Sequence, residues 1–142
     1  MCCGRLLVDT HIAGVSVASP SAHLDLEPTP TAAREARAFL NEHAGRLSQS
    51  AVDAATLCAS ELVTNGVLHA RTSLVFGVTA GDERLLVTVA DGSDDKPYTP
   101  VQDDERASGR GMLLVEALAD QWGIHQEPDG KTVWFTVARN RG

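Results

Sequence analysis

The stretch that decides the fold is Glu61–Ala70, with the sequence ELVTNGVLHA. Glu61 and Asn65 are four residues apart, so in a helix they lie one turn apart on one face, with His69 one further turn along. A carboxamide oxygen is a hard ligand that suits Mg²⁺, and a carboxylate can bind through a metal-bound water or accept a proton from an attacking hydroxyl. The same spacing is typical of a solvated helix face, so this stretch alone leaves both interpretations open.

The helix that carries this stretch follows a strand and a shorter helix. His23–Glu27 alternates apolar and polar residues like a strand, and Pro28–Thr31 supplies a stop, a cap and a helix start. The second helix is predicted from Ser50, where Ser50 and Asp53 have the S-x-x-D form of a capping box, to about Leu68. The first helix is predicted to bury one apolar face, formed by Ala32, Ala36, Phe39, Leu40, His43 and Leu47.

Downstream of the two helices the pattern changes to strands. Ser73–Ala80 and Arg84–Asp91 predict a hairpin, residues 92–108 a long polar loop, and residues 109–120 a third helix. Trp122–Gln126 and Lys131–Ala138 predict a closing hairpin. This order predicts an α+β two-layer sandwich, with a mixed, mostly antiparallel sheet and the helices packed on one face. Residues 1–22 are predicted to be an N-terminal arm or an extra strand, and residues 23–142 to form the domain.

Two further motifs lie at the ends of predicted elements. Asp91 ends a strand and Gly92 turns the chain after it, which presents the carboxylate as an acceptor at a sheet end; a simple turn-forming Asp is the alternative. Gly109–Met112, with the sequence GRGM, leads into a helix whose free N–H groups can hold phosphate oxygens. A flexible glycine hinge explains the same residues equally well.

The order of these motifs resembles the GHKL ATP-binding fold of histidine-kinase ATPase domains, and above all the small anti-sigma-factor serine kinases and their actinobacterial relatives. The resemblance runs from about Leu24 to Val137. ELVTNGVLHA resembles that family's N box, VADGS at residues 89–93 its first glycine box, and GRGMLLV at residues 109–115 its second.

The resemblance implies a role for each matching position. Asn65 would bind Mg²⁺ and Glu61 would be the general base that deprotonates a partner's serine. Asp91 would accept a hydrogen bond from the adenine amino group, and Thr132 would support that contact from the last strand. The remaining nucleotide-binding positions implied by the family are Gly92, Gly109, Arg110, Gly111 and Met112.

Two departures from the family pattern affect that interpretation. Gly66 stands where relatives usually have alanine, which should weaken the helix by up to about 1 kcal/mol. The first glycine box has SDD at residues 93–95 instead of a second glycine, and the loop that follows is rich in acids. A triphosphate beside these acids would depend on its Mg²⁺ and on whichever of Arg106 or Arg110 turns inward.

Length and composition restrict the function classes further. The chain has 142 residues, of which 43% are hydrophobic, and this is enough for one core. Its formal net charge of −7 argues against nucleic acid as a direct partner. It contains no apolar run of membrane-spanning length, and its three cysteines and scattered histidines indicate a cytoplasmic protein without a zinc site.

These observations predict an ATP-binding anti-sigma regulatory factor with serine/threonine kinase activity toward an anti-sigma antagonist. ATP and Mg²⁺ are the expected cofactors, a sigma factor and its antagonist are the expected partners, and a homodimer stays open as the oligomeric state. The alternative is a non-catalytic, nucleotide-gated binding module, which the acidic loop favours. A histidine-kinase fragment is disfavoured, since no dimerisation helix with a phosphoacceptor histidine precedes Leu24.

Overall fold

A computed structural model describes residues 11–12, 15–16, 21–70, 72–91, 113–128 and 130–140. The helices are α1 (Ala32–His43), α2 (Gln49–Ala70) and α3 (residues 113–118). Two short strands come first, β1 (His11–Ile12) and β2 (Val15–Ser16). The longer strands are β3 (Ser21–Leu26), β4 (Leu74–Ala80), β5 (Arg84–Asp91), β6 (Gln121–Glu127) and β7 (Gly130–Ala138).

The five longer strands form one sheet in the order β3-β4-β5-β7-β6. All four pairings among them are antiparallel, where the sequence predicted a mostly antiparallel sheet. β7 lies between β5 and β6, so the closing hairpin joins the sheet through its second strand. The α+β fold with helices on one face of the sheet is confirmed.

Strand alternation divides the sheet into a face covered by helices and an open face. The helix-facing residues of β5 and β7 are large and buried: Leu85, Val87, Val89, Phe135 and Val137. From the helices, Leu40, Ala55, Ala59 and Val63 pack into the same core, and Val115 of α3 joins them. Within the described chain, none of the helices has the length and apolar character required to cross a bilayer.

The ends of the first two helices differ from the sequence prediction. α1 ends at His43 because Gly45 follows with φ +80°, a left-handed conformation that stops a helix; Leu47 lies beyond it. Thr31, which occupies the N-cap position of α1, makes no capping hydrogen bond, and its hydroxyl donates to Glu35 instead.

The predicted capping box at the start of α2 is wrong. The Ala51 N–H donates to Ser48 Oγ at 3.1 Å, so the cap is Ser48 and the helix starts at Gln49, ahead of Ser50. Asp53 accepts from the Gln49 side chain at 2.9 Å instead of closing a box with Ser50. The Ser48 N–H donates to the Arg139 carbonyl, which joins this helix start to the end of β7.

The open face of the sheet is buried at its centre. Leu86, Thr88 and Thr136 face away from the helices, yet they are only 5%, 4% and 0% exposed. Cα atoms of β2 lie within 8 Å of Cα atoms of β5. Because β5 has sheet neighbours on both edges and helices on its other face, the β1–β2 hairpin lies against the open face.

Candidate functional site

One row of residues crosses the end of the sheet on its helix-facing side. The backbone register aligns Leu26, Leu74, Asp91, Lys131 and Gln126 across the five strands. The row begins with the buried Leu26 and Leu74 and continues with Asp91 and Lys131, which are both half-buried. The sheet end therefore changes from apolar to charged at β5, where the sequence predicted an acceptor.

The C-terminal half of α2 lies against this sheet end. A Cβ built on Gly66 would meet the two Cδ atoms of Leu74 at 3.0 and 3.2 Å, so helix and strand approach each other closely here. Leu74 is the direct cross-strand neighbour of Asp91. Asn65, next to Gly66, and Glu61, one turn earlier, are half-buried on α2. The fold thus brings the N-box helix to the strand end that carries Asp91.

The carboxylate of Asp91 lies beside the β6–β7 turn. A Cβ built on Gly130 would collide with the Asp91 carbonyl oxygen and would come within 3.1 Å of its Oδ1. Gly130 also has φ +149°, which an L side chain rarely adopts. Both the lack of space for a Cβ atom and the positive φ therefore require glycine at position 130. The start of β7 thus lies close to Asp91.

Thr132 lies on β7, the last strand, as the sequence interpretation expected, but on the face of the sheet opposite to that of Asp91. It pairs with Ala90, and alternation along β7 puts it on the open face, while Val133, Phe135 and Val137 point toward the helices. The structure does not bring Thr132 to the face where Asp91 lies. The β7 residue that shares that face is Lys131, directly opposite Asp91.

Sequence reasoning did not place Lys131 on the face of Asp91, although a signal for that placement was available. Val133, Phe135 and Val137 form an apolar period of two, and extending that period backward reaches Lys131. The family resemblance suggested that the hydroxyl of Thr132 lies at the site, but the pleat of β7 determines which of its residues face the helices. Of the other predicted positions, Gly92, Gly109, Arg110, Gly111 and Met112 lie outside the described residues.

The chain is similar to known proteins both in sequence and in fold. A family model described as a histidine kinase-like ATPase domain matches residues 26–137. A solved structure of the RsbU and RsbW domains of Rv1364c from Mycobacterium tuberculosis is similar, with a TM-score of 0.66 and 26% sequence identity. That match covers 87% of this chain and 34% of the other, so this chain spans about a third of the protein it resembles. The resemblance inferred from the motifs is confirmed.

Proposed function

Because the chain belongs to the histidine kinase-like ATPase family, we propose that it binds ATP with Mg²⁺ and acts as a cytoplasmic anti-sigma regulatory kinase. Its substrate would be a serine of an anti-sigma antagonist protein, and its second partner a sigma factor. The family implies ATP binding. The kinase role is supported by the sequence resemblance to small anti-sigma-factor kinases and by the similarity to a chain with an RsbW domain.

The observation that carries the proposal is the approach of α2 to the end of β5. Gly66 lies against Leu74, and Leu74 lies beside Asp91. The Asp91 carboxylate, which would accept a hydrogen bond from the nucleotide base, therefore lies in the same region as the polar face of α2. A nucleotide whose base is held at Asp91 would find the Asn65 carboxamide and the Glu61 carboxylate on the adjoining helix. These are the groups that phosphoryl transfer requires for positioning and proton removal.

The donor chemistry of α2 fits Mg²⁺. Asn65 offers a carboxamide oxygen, and Mg²⁺ is usually held by one or two protein ligands together with substrate phosphates and water. When bound, Mg²⁺ would neutralise charge on the phosphates. No Lys or Arg occurs between Gln49 and Ala70, so α2 itself supplies no cation to that end of the nucleotide.

Glu61 is proposed to move the proton in the transfer step. Its carboxylate takes the proton of the partner's serine hydroxyl as the serine oxygen forms a bond to the γ-phosphorus of ATP. The bond between that phosphorus and the β,γ-bridging oxygen breaks, and ADP leaves with the electron pair. A general base of this kind contributes typically about 10²–10⁴-fold in rate.

Two substitutions one helical turn apart separate nucleotide binding from chemistry. Asn65→Ala is expected to lose Mg²⁺-dependent ATP binding and phosphate transfer together. Glu61→Gln is expected to keep most of the binding and lose about 10²-fold or more of the transfer. Calorimetry with Mg-ATP measures the first quantity, and radiolabelled phosphate transfer to a partner co-purified from the native host measures the second.

Glu42→Gln is the matched control, because Glu42 is an exposed glutamate near the end of α1. Transfer by Glu61→Gln at the wild-type rate would refute the base assignment. A wild type that binds nucleotide and partner but labels nothing would favour the nucleotide-gated binding module. Absence of any heat with both Mg-ATP and Mg-ADP would refute nucleotide binding itself.

A further inference from the structure

Lys131 lies directly opposite Asp91 at the end of the sheet. It is the direct cross-strand partner of Asp91, and side chains paired in this way have Cβ atoms about 4.5–5.5 Å apart. Both residues are half-buried and lie on the helix-facing side of the sheet. The next residue in the row is Gln126 of the edge strand β6, and Lys131 therefore lies between Asp91 and the sheet edge.

The hydrogen-bonding capacities of the two side chains are complementary. An ionised aspartate only accepts hydrogen bonds, and a lysine ammonium only donates them, from three rotatable N–H groups on a flexible stem. Adenine presents an amino donor with an acceptor ring nitrogen on each side of it. Asp91 can satisfy the amino group, but it has nothing to offer a ring nitrogen, whereas Lys131 has nothing to offer the amino group.

We propose that Lys131 is a specificity residue of the nucleotide site, whose ammonium donates a hydrogen bond to a ring nitrogen of the adenine held by Asp91. This inference rests on the proposed binding of ATP. The cation also offsets the cost of removing the Asp91 carboxylate from water when a base covers it. α2 contains no Lys or Arg, and Arg84 lies at the opposite end of β5 from Asp91.

The test compares Lys131→Met with wild type, using ADP and its 1-deaza and 7-deaza analogues in the presence of Mg²⁺. Methionine keeps much of the stem and removes the donor. Since hydrogen bonds to charged groups contribute about 1.5–3 kcal/mol, Lys131→Met is expected to weaken ADP binding about 10-fold or more. Wild type is expected to lose a similar factor with one deaza analogue, and Lys131→Met is expected to bind that analogue and ADP alike.

Arg84→Met is the matched control, because it removes one positive charge from the same sheet at the other end of β5. It is expected to bind ADP as wild type does. Inorganic triphosphate is the second probe, and Lys131→Met is expected to bind it as wild type does. Melting temperatures without nucleotide check that each variant is folded.

Several results would overturn the proposal. Equal ADP affinity of Lys131→Met and wild type would do so, as would an equal loss with ADP and inorganic triphosphate, which would assign Lys131 to the phosphates. A loss in Thr132→Val without a loss in Lys131→Met would restore the sequence interpretation of β7. If wild type binds no nucleotide at all, the proposed function fails, and that outcome is distinct from a wild type that binds ADP independently of Lys131.

Discussion

Ser48 and Ser50 provide a residue-level test of how α2 begins. Ser48 Oγ accepts from the Ala51 N–H at 3.1 Å, whereas Ser50 is exposed within the first turn. Loss of a capping hydroxyl costs about 0.5–2 kcal/mol, so Ser48→Ala should lower the free energy of unfolding by that amount. Ser50→Ala should change it by less than about 0.5 kcal/mol. Urea denaturation with an unchanged m-value measures both, and a larger loss for Ser50→Ala would contradict the assignment of the cap.

For single residues, the sequence indicated which kinds of side chain occur near the site better than it indicated where each side chain lies. Asp91 was placed correctly at the end of β5, because a strand boundary and a following glycine are local signals. The N-cap of α2 and the face of the sheet on which each β7 residue lies were not predicted correctly, because both depend on contacts made in three dimensions. The backbone N–H of Ser48 donates to the Arg139 carbonyl 91 positions later, and the face of Lys131 is set by the packing of Phe135 and Val137.

At the scale of secondary-structure elements, Gly66 is the residue of α2 that packs closely against Leu74 of β4. An alanine should favour the helix by about 1 kcal/mol, but its Cβ would lie 3.0 Å from a methyl carbon of the fully buried Leu74. In the wild-type background, Gly66→Ala should therefore gain clearly less than 1 kcal/mol. In a Leu74→Val background, where the crowded methyl carbons are gone, it should gain close to the full amount.

A double-mutant cycle in urea measures this coupling between Gly66 and Leu74. The matched control is Ser50→Ala, an exposed α2 position whose effect should be the same in both backgrounds. If Gly66→Ala has one effect regardless of residue 74, the contact does not restrain the helix. In that case the glycine has no packing reason in this structure.

The existence and order of the elements were predictable, and their ends were less so. Strand alternation and helical periodicity are repeated over many residues, so β4, β5 and α2 appear where the patterns predict them. The end of α1 depends on one glycine with φ +80°, whose neighbour is the Arg139 guanidinium at 3.3 Å from the Cβ it lacks. That contact comes from the far end of the chain, and no local pattern contains it.

At the scale of the whole molecule, Arg139 connects elements that are distant in sequence. Its guanidinium donates to the carbonyls of Ala44 and Arg46 after α1 and of Gly81 in the β4–β5 turn, at 2.6–2.9 Å. Its backbone N–H donates to the Glu83 carbonyl. Arg139 thus joins the end of α1, the β4–β5 turn and the end of β7 at the end of the sheet opposite Asp91, so a ligand bound at the Asp91 end would leave these hydrogen bonds intact.

The burial of the open face leads to a prediction about the N-terminal residues. If the β1–β2 hairpin covers Leu86, deletion of residues 1–17 should leave β3 and the core intact and lower the free energy of unfolding. The loss should be up to about 1.5–3 kcal/mol, the value of burying one leucine side chain. Urea denaturation of the full chain and of the deletion variant measures it.

The contact is identified by combining the deletion with two alanine substitutions on β5. Leu86→Ala on the open face should cost about 2–5 kcal/mol in the full chain and clearly less after the deletion, because the leucine is then already exposed. Val87→Ala, which faces the helices and is 0% exposed, should cost the same in both backgrounds. Equal losses for Leu86→Ala with and without residues 1–17 would mean that something other than the hairpin buries this side chain, since the deletion would then remove none of its contacts.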